Sequence, residues 1–339
     1  MSKLRNGLNL VLILVVHVHI WTCQHAQGGH STAQVDGSSA ETAETKKKVL
    51  VVVGPSKHPP GSHEVTAGGR LVAATVSRFN NLSGMTGVLS IGWPDESVRR
   101  DTDTIVFIGD MFPPMRLPQK GKILDELGSM MDSGCGIVCL HYANGLEARD
   151  VGPNGEHPLL GWLGGYFATR CNHHRSVARI FKNATIEKAP IRRTDSESRS
   201  DETTSNRVGD PDANREHPIQ RGWQPFTLHD EPYINNYFGP NDNQMAAGAF
   251  AVATSMLPPE DPKPQVVAWG IERGDGGRGF GIVMPHFFRS WDNDELRKMI
   301  FNGIVWTAKA EVPFKGVEVD LQALESYDPV SVDFRPRKK

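Results

Sequence analysis

Short apolar runs alternate with segments of helical period through the first 140 residues. Residues 48–54 form a continuous β-branched run that ends in Gly54-Pro55, as expected of a strand buried on both faces. Over 64–79, Val65, Val72, Val76 and Phe79 recur at helical spacing, with Gly68-Gly69 as a local weak point. Residues 86–91 and 104–109 predict two more strands. Residues 119–131 predict a helix with Ile123, Leu124, Leu127 and Met130 on one side, and 136–140 a fourth strand.

Beyond residue 150 the pattern loosens. Residues 162–169 are apolar and aromatic, and 176–181 read as a strand. Residues 192–216 are almost devoid of apolar side chains and read as an exposed insertion. Strands recur at 247–253, 265–269 and 280–284. The glycine-rich stretch 270–281 lacks the Gly-Lys-Ser/Thr ending of a phosphate loop and reads as a hairpin turn. Asp292, Asp294 and Glu295 place negative charge at the start of a last helix, along which Leu296, Ile300, Ile304 and Ala308 repeat. Strands alternating with helices predict an α/β fold with a parallel-rich sheet flanked by helices. In such sheets ligands sit at the carboxyl ends of strands.

The chain has 339 residues and a formal net charge of −2, which argues against a general nucleic-acid binder. Its ends stand apart from this body. Residues 1–27 read as a signal peptide, with Lys3 and Arg5 ahead of an apolar core. A secreted or periplasmic protein is expected, with an uncleaved or lipid-linked anchor as the alternative. No apolar run long enough for a membrane span follows residue 25. Residues 28–46 read as a disordered linker, 47–311 as the α/β domain and 312–339 as a C-terminal surface extension. Cys135 and Cys139 lie four apart on one strand, about 13 Å at 3.3 Å per residue, too far for a disulfide.

The chemistry rests on histidines at strand ends. His58 and His63 flank the loop after the first strand, His141 follows the fourth, and His286 follows the strand at 280–284. His229 stands beside two carboxylates in His229-Asp230-Glu231. Imidazole is both the commonest zinc ligand and the usual general base near neutral pH. No contiguous metal motif is present, so a metal site requires these histidines to converge by folding.

The ordered set of segments resembles the ThuA-like (trehalose utilisation) proteins. The matching pieces are 49–53 with the His58/His63 loop, Gly136-Ile-Val-Cys-Leu-His-Tyr-Ala143, Glu216-His-Pro-Ile-Gln-Arg-Gly222, Phe226-Thr-Leu-His-Asp-Glu-Pro-Tyr233, Val267-Ala-Trp269 with the glycine-rich turn, and 297–306. The resemblance implies a class I glutamine amidotransferase-like fold, a flavodoxin-like three-layer arrangement, and a role in carbohydrate metabolism on a keto-sugar or glycoside. At the turn where amidotransferases carry their nucleophilic cysteine this chain has His141, which does not supply a thiolate. Glutaminase activity is therefore not expected.

The combined expectation is His-based acid/base or metal-assisted chemistry on a small carbohydrate. His141, His229 and Glu231 are the catalytic candidates, and His58, His63, Asp230 and Tyr233 the substrate-binding candidates. His58, His141, His229 and His286 are the candidate ligands of a zinc-like divalent ion. The competing readings are a non-catalytic carbohydrate-binding or interaction domain on an enzyme-derived fold and, more weakly, metal storage or sensing.

Overall fold

The computed structural model describes residues 46–191 and 216–336. The signal peptide, nearly all of the linker and the body of the polar insertion lie outside the described residues. The elements are β1 (Lys47–Val53), α1 (Val65–Val76), β2 (Met85–Ile91), α2 (Glu96–Arg99), β3 (Thr104–Ile108), α3 (Lys120–Asp132), β4 (Gly136–Leu140), β5 (Gly145–Glu147), α4 (Pro158–Leu163), β6 (Phe167–Thr169), β7 (Phe181–Lys188), β8 (Phe226–Asp230), β9 (Ala249–Leu257), β10 (Lys263–Glu272), β11 (Arg278–Ile282) and α5 (Asp294–Thr307).

Nine strands form one sheet in the order β2-β1-β3-β4-β11-β10-β9-β7-β8. From β2 to β11 neighbouring strands are parallel, and from β11 to β8 they are antiparallel. The sheet is therefore mixed, where the alternation of strands and helices predicts a parallel-rich one. The reason is local. After β6 no α-helix separates successive strands among the described residues, and antiparallel pairing builds the second half.

In the parallel half the continuous apolar runs are buried on both faces. Val49–Val52 and Ile137–Cys139 have no exposed surface. Phe79, just beyond α1, meets Phe301 of α5 on one face at 5.5 Å between rings. Gly128 of α3 faces Trp162 of α4 on the other. This makes the three layers. Gly69 proves to be a close-approach position: a Cβ there would lie 2.4 Å from Val53 on β1. α5 begins as its charges predict, with Asn293 capping the Leu296 amide at 2.9 Å.

The glycine-rich stretch does join β10 and β11 as a hairpin. The strand expected at 176–181 instead begins at Phe181, and Val177 forms only an isolated bridge to Ile234. β8 was not legible as a strand, yet it alternates Phe226, Leu228 and Asp230 inward with Thr227 and His229 outward. β7 joins β9 through Glu187 and Lys188 alone, and the far end of the β7–β8 ribbon returns toward the β11 loop.

Residues 312–336 lie against the domain. Val317, Leu324 and Tyr327 are buried. The Glu64 carboxylate accepts hydrogen bonds from the backbone N–H of Gly61, Val330 and Ser331 at 2.8–3.1 Å. No helix among the described residues is long and apolar enough to cross a membrane.

A candidate metal centre at the carboxyl edge of the sheet

Three loops at the carboxyl ends of β1, β4 and β11 meet at one point. The loop after β1 and the loop after β11 are zipped together by backbone bonds. The His63 N–H donates to the His286 carbonyl and the Phe288 N–H to the Gly61 carbonyl, both at 3.0 Å. His141 is the first residue after β4. His63 and His141 both adopt left-handed backbone conformations, with φ of 45° and 49°. Such conformations cost about 1–3 kcal/mol in a non-glycine residue and persist where the surroundings impose them, often at functional sites. β8 delivers Glu231 from the opposite side.

The imidazoles point inward at one another. His63 Nε2 lies 2.9 Å from His141 Nε2 and 3.0 Å from His286 Nδ1, and His141 Nε2 lies 3.1 Å from His286 Nδ1. Glu231 Oε2 is 3.1 Å from His286 Nδ1 and 3.8 Å from His141 Nε2. These four ligand atoms lie within 4.8 Å of one another.

The outer nitrogens decide the tautomers. His141 Nδ1 lies 2.8 Å from the Val283 carbonyl, which only accepts, so Nδ1 carries the proton. His63 Nδ1 lies 2.6 Å from Asp110 Oδ1 and donates to that carboxylate. The inner Nε2 atoms of both rings therefore carry no proton, although they lie only 2.9 Å apart. Protonating one of them would relieve the clash, but burial and the neighbouring imidazoles oppose it. Burial pushes His63 down to about 4, and it pushes His141 well below the ordinary histidine value.

The outer partners have the arrangement that orients metal-binding imidazoles, with a carboxylate or carbonyl holding the far nitrogen. Burial alone would raise the Asp110 carboxyl. The bonds from His58 and His63 and from the Lys57 N–H outweigh it and hold Asp110 below the usual carboxylate range. Asp230, fully buried, is raised by that burial. It accepts the His286 and Glu231 backbone N–H groups at 2.8 Å and the Ser290 hydroxyl, so it fixes two of the four candidate ligands.

The sequence-predicted residues thus divide. His63, His141, His286 and Glu231 converge. Tyr233 reaches them, with its hydroxyl 2.9 Å from His141 Nε2. His58 stands one step out, stacked on His63 at 3.5 Å between ring centres and 2.9 Å from Asp110 Oδ2. Asp230 supports from behind. His229 does not join the cluster: strand alternation turns it outward, where Arg289 lies 3.3 Å from its Nδ1. Of the expected ligand set His58, His141, His229 and His286, the structure brings His141 and His286 together with His63 and Glu231, while His58 and His229 lie outside that group of four. Asp110 was not among the candidates, although its place just after β3 and Gly109 obeys the same strand-end rule. Tyr142, also unassigned, sets its ring edge-on to His63 and Tyr233 at 5.6 and 6.0 Å. Cys139 lies inside β4 with no exposed surface, and burial pushes its thiol well above the ordinary value.

A cleft of about 640 Å³ runs from Ile91, Leu117 and Val330 to His58 and His63.

No protein-family model and no curated protein matches the chain. Similar solved structures include a chain described as ThuA-like from Bacteroides uniformis. It is 15% identical, with 80% of this chain and 95% of that one covered and a TM-score of 0.47. The carbohydrate deacetylase Agd3 is 10% identical over 78% of this chain and 33% of its own, with a TM-score of 0.40. A glutamine amidotransferase from Methylobacillus flagellatus is 13% identical over 73% and 75%, with a TM-score of 0.32.

Proposed function

We propose that this protein is a metal-dependent enzyme acting on a small carbohydrate, with His63, His141, His286 and Glu231 holding one divalent ion of the zinc class. The carrying observation is the convergence of three imidazole nitrogens and one carboxylate oxygen within 4.8 Å of one another, with the Nε2 atoms of His63 and His141 only 2.9 Å apart and the proton of each ring held on its outer nitrogen. A cation satisfies all four donors at once. Three nitrogens and one oxygen suit zinc and its first-row neighbours better than magnesium or calcium.

The bound ion would polarise a substrate carbonyl or activate a water. The chain's own groups set the stage for it. Asp110 and the Val283 carbonyl hold two rings in the ligating tautomer, and Asp230 anchors His286 and Glu231. A thiolate route has no support here, because Cys139 is sealed inside its strand and His141 occupies the turn. The resemblance of the ordered segments to ThuA-like proteins supports a carbohydrate as the substrate class, and the apolar leader at 1–27 supports a secreted or periplasmic setting.

Elemental mass spectrometry of the purified, untagged protein tests this. About one zinc-like ion per chain is expected, together with metal-dependent turnover of a keto-glycoside or glycoside panel. No metal after reloading with zinc, manganese or cobalt would overturn the reading. Metal and sugar bound without turnover would make the same site a binding site.

A further inference from the structure

Tyr233 is 1% exposed and its ring is fixed between two others. It stacks on Phe167 at 4.1 Å and on His141 at 4.6 Å between ring centres. Its hydroxyl has one hydrogen-bond partner among the described residues, His141 Nε2 at 2.9 Å. The His141 Nδ1–H is committed to the Val283 carbonyl, so Nε2 is the acceptor and Tyr233 the donor. An imidazole nitrogen has a single in-plane lone pair. A metal on Nε2 takes it and leaves the Tyr233 O–H buried, aimed into the site and without an acceptor. A buried hydroxyl in that position is costly unless a new acceptor arrives. The nearest new acceptor is an oxygen bound to the same metal beside His141, because ligands on adjacent positions of such an ion lie about 3 Å apart.

We infer that the Tyr233 hydroxyl is the hydrogen-bond donor to the oxygen filling the open position of the metal centre, whether that oxygen belongs to water or to a substrate carbonyl or hydroxyl. This rests on the metal reading above. The donor is rigid because both faces of its ring are stacked, so it needs no reorganisation as negative charge develops on that oxygen. It also gives the site a preference. Oxygen ligands that can accept this bond gain from it, and ligands binding through nitrogen with no free acceptor do not.

The test uses the cobalt-substituted full-length protein and its Tyr233→Phe variant, read by metal content, thermal melting and the visible cobalt spectrum. Two probes are titrated. Acetohydroxamate binds metals through oxygen, and imidazole binds through nitrogen. Tyr233→Phe is expected to hold about one cobalt per chain, as the parent does, and to melt normally. It is expected to bind acetohydroxamate about tenfold more weakly and imidazole equally well. Equal acetohydroxamate affinity in both proteins would overturn the inference while leaving the metal centre standing. Loss of cobalt from Tyr233→Phe would also overturn it and make the tyrosine part of the metal-holding set. Absence of metal from the parent would remove the metal reading itself, and this inference with it.

Discussion

Two groups of histidines lie in this domain, and they differ in where their lone pairs go. In the second group His173 Nε2 lies 3.0 Å from the Tyr166 hydroxyl, which itself donates to the Gly155 carbonyl at 2.9 Å. His173 is therefore the donor. His174 Nε2 donates to the Asn235 carbonyl at 2.7 Å. Each ring finds a protein acceptor, beside a cleft of about 650 Å³ that also exposes Glu156 and Asp242. In the first group the outer nitrogens of His63 and His141 are satisfied in the same way, yet their inner, unprotonated ones stand 2.9 Å apart. Two adjacent histidines with acids nearby look like a metal site in a sequence. The geometry instead brings inward-facing imidazole nitrogens together from histidines 78 and 145 residues apart.

The largest break of this comparison is His141→Ala. It removes the nitrogen that lies within 3.1 Å of His63 Nε2, His286 Nδ1 and the Tyr233 hydroxyl, so metal content is expected to fall below about a tenth of an ion per chain and turnover to vanish. The folded circular dichroism signal should remain. A variant that still holds a full complement of metal would remove His141 from the centre.

Asp110→Asn tests the outer layer. Asparagine keeps the shape but not the charge that fixes the His63 tautomer, so metal affinity is expected to drop about 10–100-fold. Competition with a chelator of known affinity measures it. An unchanged constant would show that the His63 ring is held by packing alone.

Acid sharpens the contrast further. Unfolded His63 takes up its proton near 6.5, but the folded residue does so only near 4, chiefly because of burial. Between those values the unfolded chain binds more protons, so the metal-free protein loses stability as pH falls through that window. His157 is lowered to about 4 by burial and acts in the same direction. The expected loss is on the order of 2–3 kcal/mol for each of these two histidines between pH 6.5 and 4. Denaturant melts at several pH values measure it, and a flat profile would contradict the burial argument. Bound metal should be retained to lower pH than ordinary imidazole ligands allow.

The smallest effect is expected at the second group. His173→Ala should leave metal content unchanged and cost about 1 kcal/mol of stability for the lost hydrogen bond. Metal loss in this variant would erase the distinction between the two groups.

Much of the fold follows from local pattern. β1, β3 and β4 are runs too apolar for a half-exposed strand, and α5 carries its own cap and charges. The antiparallel half was less legible. Hairpin partners such as β9 and β10 are separated by short turns, but which strand of the ribbon faces inward at β8 depends on what covers it. There the period-2 rule turns His229 out and Asp230 in. The strand-end rule pointed to His63, His141 and His286, and the His229-Asp230-Glu231 trio contained Glu231, the carboxylate that the structure sets beside them. It did not separate Glu231 from His229, nor find Asp110 or the Val283 carbonyl.

The sequence by itself determined the strand and helix segments of the parallel half and the supply of imidazoles at strand ends. These depend on residue type and spacing along the chain. Only the tertiary structure decided which imidazoles meet, which nitrogen of each faces inward and which carboxylate joins them. A lone pair is directional, and its direction is set by the partner on the far side of the ring, which belongs to another strand.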